Sequence, residues 1–370
     1  MINLHKPYFN VQNDLINIKN ILNTKWISSG KYNSTLEKKL AKFFSKRYAA
    51  TASSWTTAAY LLLKILGIKK GDLVMLPAFT FIACANVVRQ VGADVVFVDI
   101  GVNDVNMDFE DLKRKFSKRV KCIMIVDQIG VPIEVEKYIK FCRKEKIHLI
   151  HDIACSLGSK YKEVPSGSSS EFLITSFHAR KVITSGEGGA LICNSKKIIN
   201  KFNSLKSHGV DFSDYARKNS KYKIKEKFKE IGFNFRYNDL QAALCLSQFK
   251  RINKAINIKK KIANFYIKNL NKKFVNFLNL SKSKKVNWQS FLIYFKDRHK
   301  RDLVYRNLIR NNIECKCSIS SCYNQKPYFG NLKKLNRTKK MHDTSLLIPM
   351  HPYLIKKDLK KIVGIINSVY

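Results

Sequence analysis

Between residues 35 and 200, short apolar runs alternate with longer amphipathic stretches. LVMLP (73–77), DVVFVDI (94–100), KCIMIVD (121–127), IHLIHD (147–152) and EFLITSF (171–177) have the length of buried strands, and ALICN (190–194) reads as a further short one. STLEKKLAKFFSKR (34–47), FEDLKRKF (109–116) and EVEKYIKFCRKE (134–145) read as helices between them, and another helix starts near Thr56. This alternation predicts an α/β fold with a mostly parallel sheet flanked by helices on both faces.

The pattern changes after the sheet. DLQAALCLSQFKRINKAINIKKKIANFYIKNL (239–270) repeats apolar positions at three and four residues and predicts one long helix with a buried face. Beyond it, WQSFLIYF (288–295) reads as a strand, RDLVYRNLIRNN (301–312) as a helix and KKDLKKIVGIINSVY (356–370) as a closing helix. The expected organisation is a large domain over 1–245, with the extreme N-terminus packing on the small domain. A smaller C-terminal α+β domain over 246–370 joins it through the long helix.

Composition narrows the class. A 370-residue chain with 45% hydrophobic and 11% aromatic residues is long and apolar enough for a large folded core. MINLHKPYFN lacks a signal-peptide stretch, and AAYLLLKILGI is too short to span a bilayer and is broken by Lys64, so a cytoplasmic protein is expected. Nine cysteines are scattered without repeated CxxC spacing, as in reduced cores. Cys315, Cys317 and Cys322 have no histidine or second cysteine pair at zinc spacing, and no metal site is expected. The formal charge of +42 raises nucleic acid as a partner. The lysines, however, are spread over nearly every amphipathic segment. KYKIKEKFKE (221–230) and NIKKKIANFYIKNLNKKF (257–274) read as helical faces, and no zinc-finger, helix-turn-helix or RNP pattern accompanies them. No nucleic-acid partner is expected, and such a surface favours anionic small-molecule substrates.

The chemistry-bearing residues gather where strands end and helices begin. Asp152 closes IHLIHD, and the next strand runs into SFHARKVITSGEGG (176–189), with Ser176 and Lys181 at its end. SSWTTAA (53–59) offers the hydroxyls of Ser54, Thr56 and Thr57 at a helix N-terminus, where free amides and the dipole favour phosphate. Together these suit pyridoxal 5'-phosphate, which needs a lysine, a phosphate site and a carboxylate facing its ring nitrogen. Phe79 or Phe81 would cover the ring face. Gly186, Gly188 and Gly189 read as a tight bend with positive φ, not as a dinucleotide fingerprint.

The chain resembles the DegT/DnrJ/EryC1/StrS sugar aminotransferases, pyridoxal-phosphate enzymes of the aspartate-aminotransferase fold (fold type I). That fold has a large domain with a seven-stranded sheet and a smaller C-terminal domain. The likeness runs from KWISSG (25–30) through SSWTTAA, PAFTFIACANVV, GADVVFVDI, HDIACSLGSKY, SFHARKVITSGEGGALICN, KSHGV and GFNFRYNDLQAAL to PMHPYL (349–354). The resemblance implies that Lys181 is the Schiff-base lysine and Asp152 the acid paired with the pyridine nitrogen. Ser176, Thr56 and Trp55 match phosphate-binding positions, and Phe81 matches the aromatic residue on the ring. Asn234 matches an asparagine that reaches the phosphate from the neighbouring subunit, which implies a homodimer with shared active sites. In three places the chain departs from the family pattern. Cys155 stands where relatives have Gln or His near the phenolic oxygen, His151 replaces a Glu, and Trp55 replaces a common Gly, leaving only its backbone N–H for a phosphate. His178 is expected to be structural, and Glu187 to bond turn amides.

What the resemblance implies is transfer of an amino group from an amino acid, L-glutamate in the family, to a nucleotide-linked keto-sugar for surface glycan or polysaccharide synthesis. Pyridoxamine 5'-phosphate is the form left between the two half-reactions. The expected acceptor is a 4-keto-6-deoxyhexose on dTDP, UDP or GDP, with a 3-keto-sugar as the alternative in the same family. KWISSGK and Arg236 are implied sugar-nucleotide contacts, and the loops around 160–170, 210–225 and 315–330 would set the choice of sugar. Burial beside the cofactor is expected to lower the pKa of Lys181 so that it acts as a base. Two rivals differ in kind: a sugar dehydratase, which carries His at the lysine position, and a nucleic-acid-binding regulator with a degenerate site.

Overall fold

The computed structural model describes residues 1–211, 225–319, 322, 325–331 and 335–369. The strands of the main sheet are β1 (Tyr48–Ala52), β2 (Leu73–Pro77), β3 (Asp94–Val98), β4 (Val120–Val126) and β5 (His148–Asp152). After a two-strand ribbon of β6 (Lys160–Tyr161) and β7 (Val164–Pro165) come β8 (Phe172–Ser176) and β9 (Gly189–Cys193). The seven main strands lie in the order β1-β9-β8-β5-β4-β2-β3. All run parallel except β9, which is antiparallel to both β8 and β1. The apolar runs thus form an α/β sheet buried on both faces. One face packs on the helices Trp55–Ile65, Ala83–Gln90 and Lys196–Leu205. The other meets the helices Lys31–Phe43 and Asp239–Phe249 over one part, and Phe109–Lys115 and Glu136–Glu145 over the rest.

A second core lies beyond the sheet. Here β11 (Phe291–Tyr294), β13 (Ser345–Ile348) and β12 (Lys316–Cys317) form an antiparallel sheet in the order β11-β13-β12, while β10 (Lys284–Lys285) joins β6. Ile262, Tyr266, Phe291, Val304, Leu308, Leu346 and Ile362 pack between this sheet and three helices. The chain's first residues lie on this unit: Ile2 N–H donates to the Asn312 carbonyl at 2.8 Å, and Met350 N–H donates to the Leu4 carbonyl at 3.0 Å.

Several expectations are corrected. The long helix is two helices, Asp239–Phe249 and Ile252–Asn269, separated at Arg251, whose ψ of 6° is not helical. Its guanidinium is drawn aside to Ser247 and to Asp14 of the helix Val11–Thr24. The basic run 221–230 is not a helical face where it is described, since residues 225–230 carry no helix, and 221–224 lie outside the described residues. The helices Val11–Thr24, Lys196–Leu205 and Asn336–Thr344 were not anticipated.

Candidate active site

The parallel pair β5 and β8 end side by side, with Asp152 opposite Ile174. Asp152 is the last residue of β5 and Ser176 the last of β8. Beyond Ser176 the chain makes a loop that is closed at its base. Phe177 N–H donates to the Gly188 carbonyl at 2.8 Å, and Ser185 N–H to the Phe177 carbonyl at 3.0 Å. Gln248, on the helix Asp239–Phe249, grips Thr184 from both sides. It accepts the Thr184 N–H at 3.0 Å and donates to the Thr184 carbonyl at 2.6 Å. Lys181 lies within this loop, half-buried, with its Nζ 3.2 Å from Cys155 Sγ.

The glycine-rich end of the loop serves two different needs. Gly186 (φ 85°) and Gly188 (φ 146°) occupy the backbone region that only glycine enters freely. Gly189 is extended, against the expectation of positive φ. It is held to glycine by proximity instead, because a Cβ there would stand 2.6 Å from Ser54 C and Trp55 N. Glu187 does not bond turn amides with its side chain. Its carboxylate lies 3.8 Å from His178 Nε2, while its carbonyl accepts from Ser185 Oγ and Gln241 Nε2.

That close approach brings the helix Trp55–Ile65 to the end of β8, since Gly189 pairs with Ser176. The helix opens with a reciprocal cap: Ser54 Oγ accepts the Thr57 N–H at 3.1 Å, and the Ser54 N–H donates to Thr57 Oγ1 at 3.0 Å. The amides of Trp55 and Thr56 have no acceptor among the described residues, as expected of a first helical turn. They stand at the positive end of the helix dipole, and Ser176 ends β8 close by, paired with the Gly189 that packs against Ser54 and Trp55.

Asp152 is buried, and burial raises its pKa above the usual carboxylate value. The Ala154 amide, the charge of Lys181, the Trp55 indole and the Cys84 thiol oppose that shift. Asp152 Oδ1 accepts the Ala154 N–H at 2.8 Å and the Trp55 indole N–H at 3.0 Å. Oδ2 has Cys84 Sγ at 3.6 Å. The indole contact leaves no mark in the sequence, where the resemblance implies only a backbone role for Trp55. Asn287 was also missed; it donates to the carbonyls of Cys155 (2.9 Å) and Leu157 (3.0 Å) and so fixes the turn that carries Cys155.

The neighbour of Asp152 faces the other way, as strand alternation requires. His151 Nε2 lies 2.9 Å from Asp127 Oδ1 and Nδ1 2.9 Å from Ser170 Oγ, while Ser166 Oγ donates to Asp127 Oδ2 at 2.6 Å. Burial pushes the Asp127 pKa up, but His151, Ser156 and Ser166 together hold it below the usual value. This closed network braces the ends of β4 and β5 beneath the site.

Not every candidate joins the cluster. Phe79 is fully buried, whereas Phe81 is 58% exposed. Asn234 is exposed, bridged to Ser207, and lies between Phe233 and Phe235, which pack edge-on against Tyr60. It is not among the groups that meet at Lys181. Of the loops credited with sugar selection, 212–224, 320, 321, 323 and 324 lie outside the described residues. Among the described residues no group of three or more His, Cys, Asp or Glu could hold a metal, and no helix is long and apolar enough to cross a membrane.

Comparison with known proteins agrees with this arrangement. Residues 10–367 match the DegT/DnrJ/EryC1/StrS aminotransferase family. GDP-perosamine synthase of Vibrio cholerae is 33% identical over 267 residues, covering 72% of this chain and 70% of its own. The UDP-4-amino-4,6-dideoxy-N-acetyl-beta-L-altrosamine transaminase of Campylobacter jejuni is 27% identical, covering 97% and 95%. The fold matches that of Spr1654 from Streptococcus pneumoniae, solved in its PMP form, with a TM-score of 0.93 at 22% identity over 100% of this chain and 99% of that one. A buried acid, a lysine whose charge reaches it, and free helix-end amides beside two hydroxyls form a donor set that fits pyridoxal phosphate. The chain belongs to the DegT/DnrJ/EryC1/StrS aminotransferase family and is a pyridoxal-phosphate-dependent sugar aminotransferase of fold type I.

Proposed function

We propose that this enzyme transfers an amino group from an amino acid, L-glutamate by preference, to a keto-sugar carried on a nucleotide, with a 4-keto-6-deoxyhexose as the acceptor. The observation that carries the reading is the meeting of Lys181, Cys155 and Asp152 at the ends of β5 and β8 beside an open helix N-terminus. The names of the two curated relatives, one a GDP-sugar synthase and one a UDP-sugar transaminase, support a nucleotide-linked substrate. The product would feed surface glycan or polysaccharide synthesis.

When bound, the cofactor supplies an aldehyde that condenses with amines and a ring that draws electrons from the donor's Cα. Asp152 holds the proton on the ring nitrogen. The Trp55 and Thr56 amides, with the Thr56 and Ser176 hydroxyls, hold the phosphate. Phe81 would cover one ring face, and the Cys155 thiol would face the phenolic oxygen. Lys181, as a free amine, would take the proton from the donor's Cα and return one on the sugar side. Asn234 acts at the phosphate of the neighbouring subunit's site, so the working unit is a homodimer. Residues 1–245 form the cofactor-binding domain, and 246–370 the smaller domain beside it.

The test is turnover with glutamate and a panel of nucleotide-linked keto-sugars. Wild-type protein should form one 2-oxoglutarate per aminated sugar with a 4-keto acceptor, and Lys181→Ala should slow this by about a hundredfold to ten-thousandfold. Equal rates in the two proteins would contradict the assignment of Lys181. Turnover with 3-keto acceptors alone would instead place the amine at the adjacent ring carbon.

A further inference from the structure

The indole of Trp55 is buried, and its N–H reaches Asp152 across 97 positions of sequence. We propose that Trp55 is a positioning residue for the cofactor: its N–H holds Asp152 Oδ1 and leaves Oδ2 for the ring nitrogen. This rests on the assignment of Asp152 to that nitrogen.

The two carboxylate oxygens have unequal partners. Oδ1 receives two N–H donors, from Ala154 at 2.8 Å and Trp55 at 3.0 Å. Among the described residues Oδ2 has only the Cys84 thiol at 3.6 Å, a weak donor. With Oδ1 held by two donors, rotation of the carboxyl about Cβ–Cγ breaks both bonds, so the plane of the group is fixed before any cofactor arrives. The same donors favour the charged form, which burial disfavours. The other titratable groups facing Asp152 are Lys181 from the loop after β8 and Cys84 from the helix Ala83–Gln90. Burial pushes the Cys84 thiol well up, so it faces Asp152 as a neutral donor. Lys181 favours the anion as Trp55 does, but it acts on Asp152 through charge and not through a hydrogen bond, so it does not fix an orientation. Phosphate binding at this helix end needs only backbone and hydroxyl groups, so the indole is free for the task.

The experiment titrates apoenzyme with pyridoxal phosphate, followed by absorbance, across a range of pH. It compares wild type, Trp55→Phe, Asp152→Asn and a protein in which Trp55 is replaced by its benzothiophene isostere, which keeps the shape and lacks only the N–H. Loss of the donor should weaken cofactor binding roughly tenfold, as for a hydrogen bond to a charged group. It should also move the acid limb of the binding curve up by about one pH unit, because Asp152 then takes its proton earlier. The isostere should reproduce both changes even if Trp55→Phe fails to fold. An isostere that behaves as wild type overturns the inference. So does one that weakens binding equally at every pH, since that is a packing effect. Asp152→Asn should bind weakly with no acid limb. If instead it keeps the wild-type affinity and limb, the assignment of Asp152 itself falls, a result distinct from either outcome at Trp55.

Discussion

Asp239 shows how one side chain orders distant parts of the chain around the site. Its carboxylate accepts the amides of Gly30 (2.8 Å), Asn33 (2.9 Å) and Tyr32 (3.2 Å), capping the helix Lys31–Phe43 from more than 200 residues away. The helix's own cap, Gly30, has no side chain to offer, and a Cβ there would meet Asp239 Oδ2 at 2.7 Å. The acid of NDLQAA therefore serves the fold, holding KWISSGK against the helix that also carries Gln248. Asp239→Ala leaves these amides without their acceptor and should lower stability by about 2 kcal/mol, read as a shift of the urea midpoint. Asp239→Asn, which keeps an acceptor, should recover part of the loss. An unchanged midpoint in the alanine variant would show that water replaces the cap at no cost.

At the scale of elements, six of the seven main strands were legible because a strand buried on both faces is written as a short apolar run, whereas β1, the small-residue run YAATA, was not. LVMLP became β2 with the same ends. The break at Arg251 was not legible, because the three-and-four apolar spacing continues on both sides of it. Its cause is a partner 237 positions away, Asp14, to which Arg251 Nη2 donates at 2.9 Å. The helix Val11–Thr24 was hidden for a different reason: Val11, Leu15 and Ile16 are 66%, 54% and 57% exposed, so its apolar residues do not mark a single buried face. Removing the buried acid should release that helix first. Asp14→Ala is expected to lower its local stability by about 3 kcal/mol, speeding amide exchange over 11–24 roughly a hundredfold while β4 and β5 stay protected. Unchanged exchange would mean that the pair contributes nothing there. The placing of Asp152 and Ser176 at neighbouring strand ends was legible because β5 and β8 are apolar runs that stop at them. The Trp55–Asp152 contact was not, since a tertiary hydrogen bond between buried side chains leaves no local pattern.

At the scale of the whole molecule, the basic surplus reaches inward. Lys259 is fully buried, and burial brings its pKa down to about 7. Its amine has the Gln289 carbonyl at 3.4 Å, and His5 and His351 lie close by. Burial first, with Lys259 adding to it, lowers His5 to about 3; burial with Lys6 lowers His351 to about 4. The unfolded chain protonates all three more readily than the fold does. Stability should therefore rise with pH from about 7 to 9, as the folded protein sheds the Lys259 proton that the unfolded chain keeps. It should fall as pH drops from about 6.5 towards 4, where the unfolded chain protonates both histidines first. Thermal melts across pH 4 to 9 check the sign, and Lys259→Met should flatten the alkaline rise while leaving the acid fall. A wild-type profile retained in that variant would put the titration elsewhere. One lysine in a lysine-rich chain decides the chemistry, and the most direct measurement is borohydride reduction of the holoenzyme followed by peptide mapping. The cofactor should be found covalently attached at Lys181, and no attachment should appear in Lys181→Ala. Attachment at a different lysine in both proteins, or at none in the wild type, would contradict it.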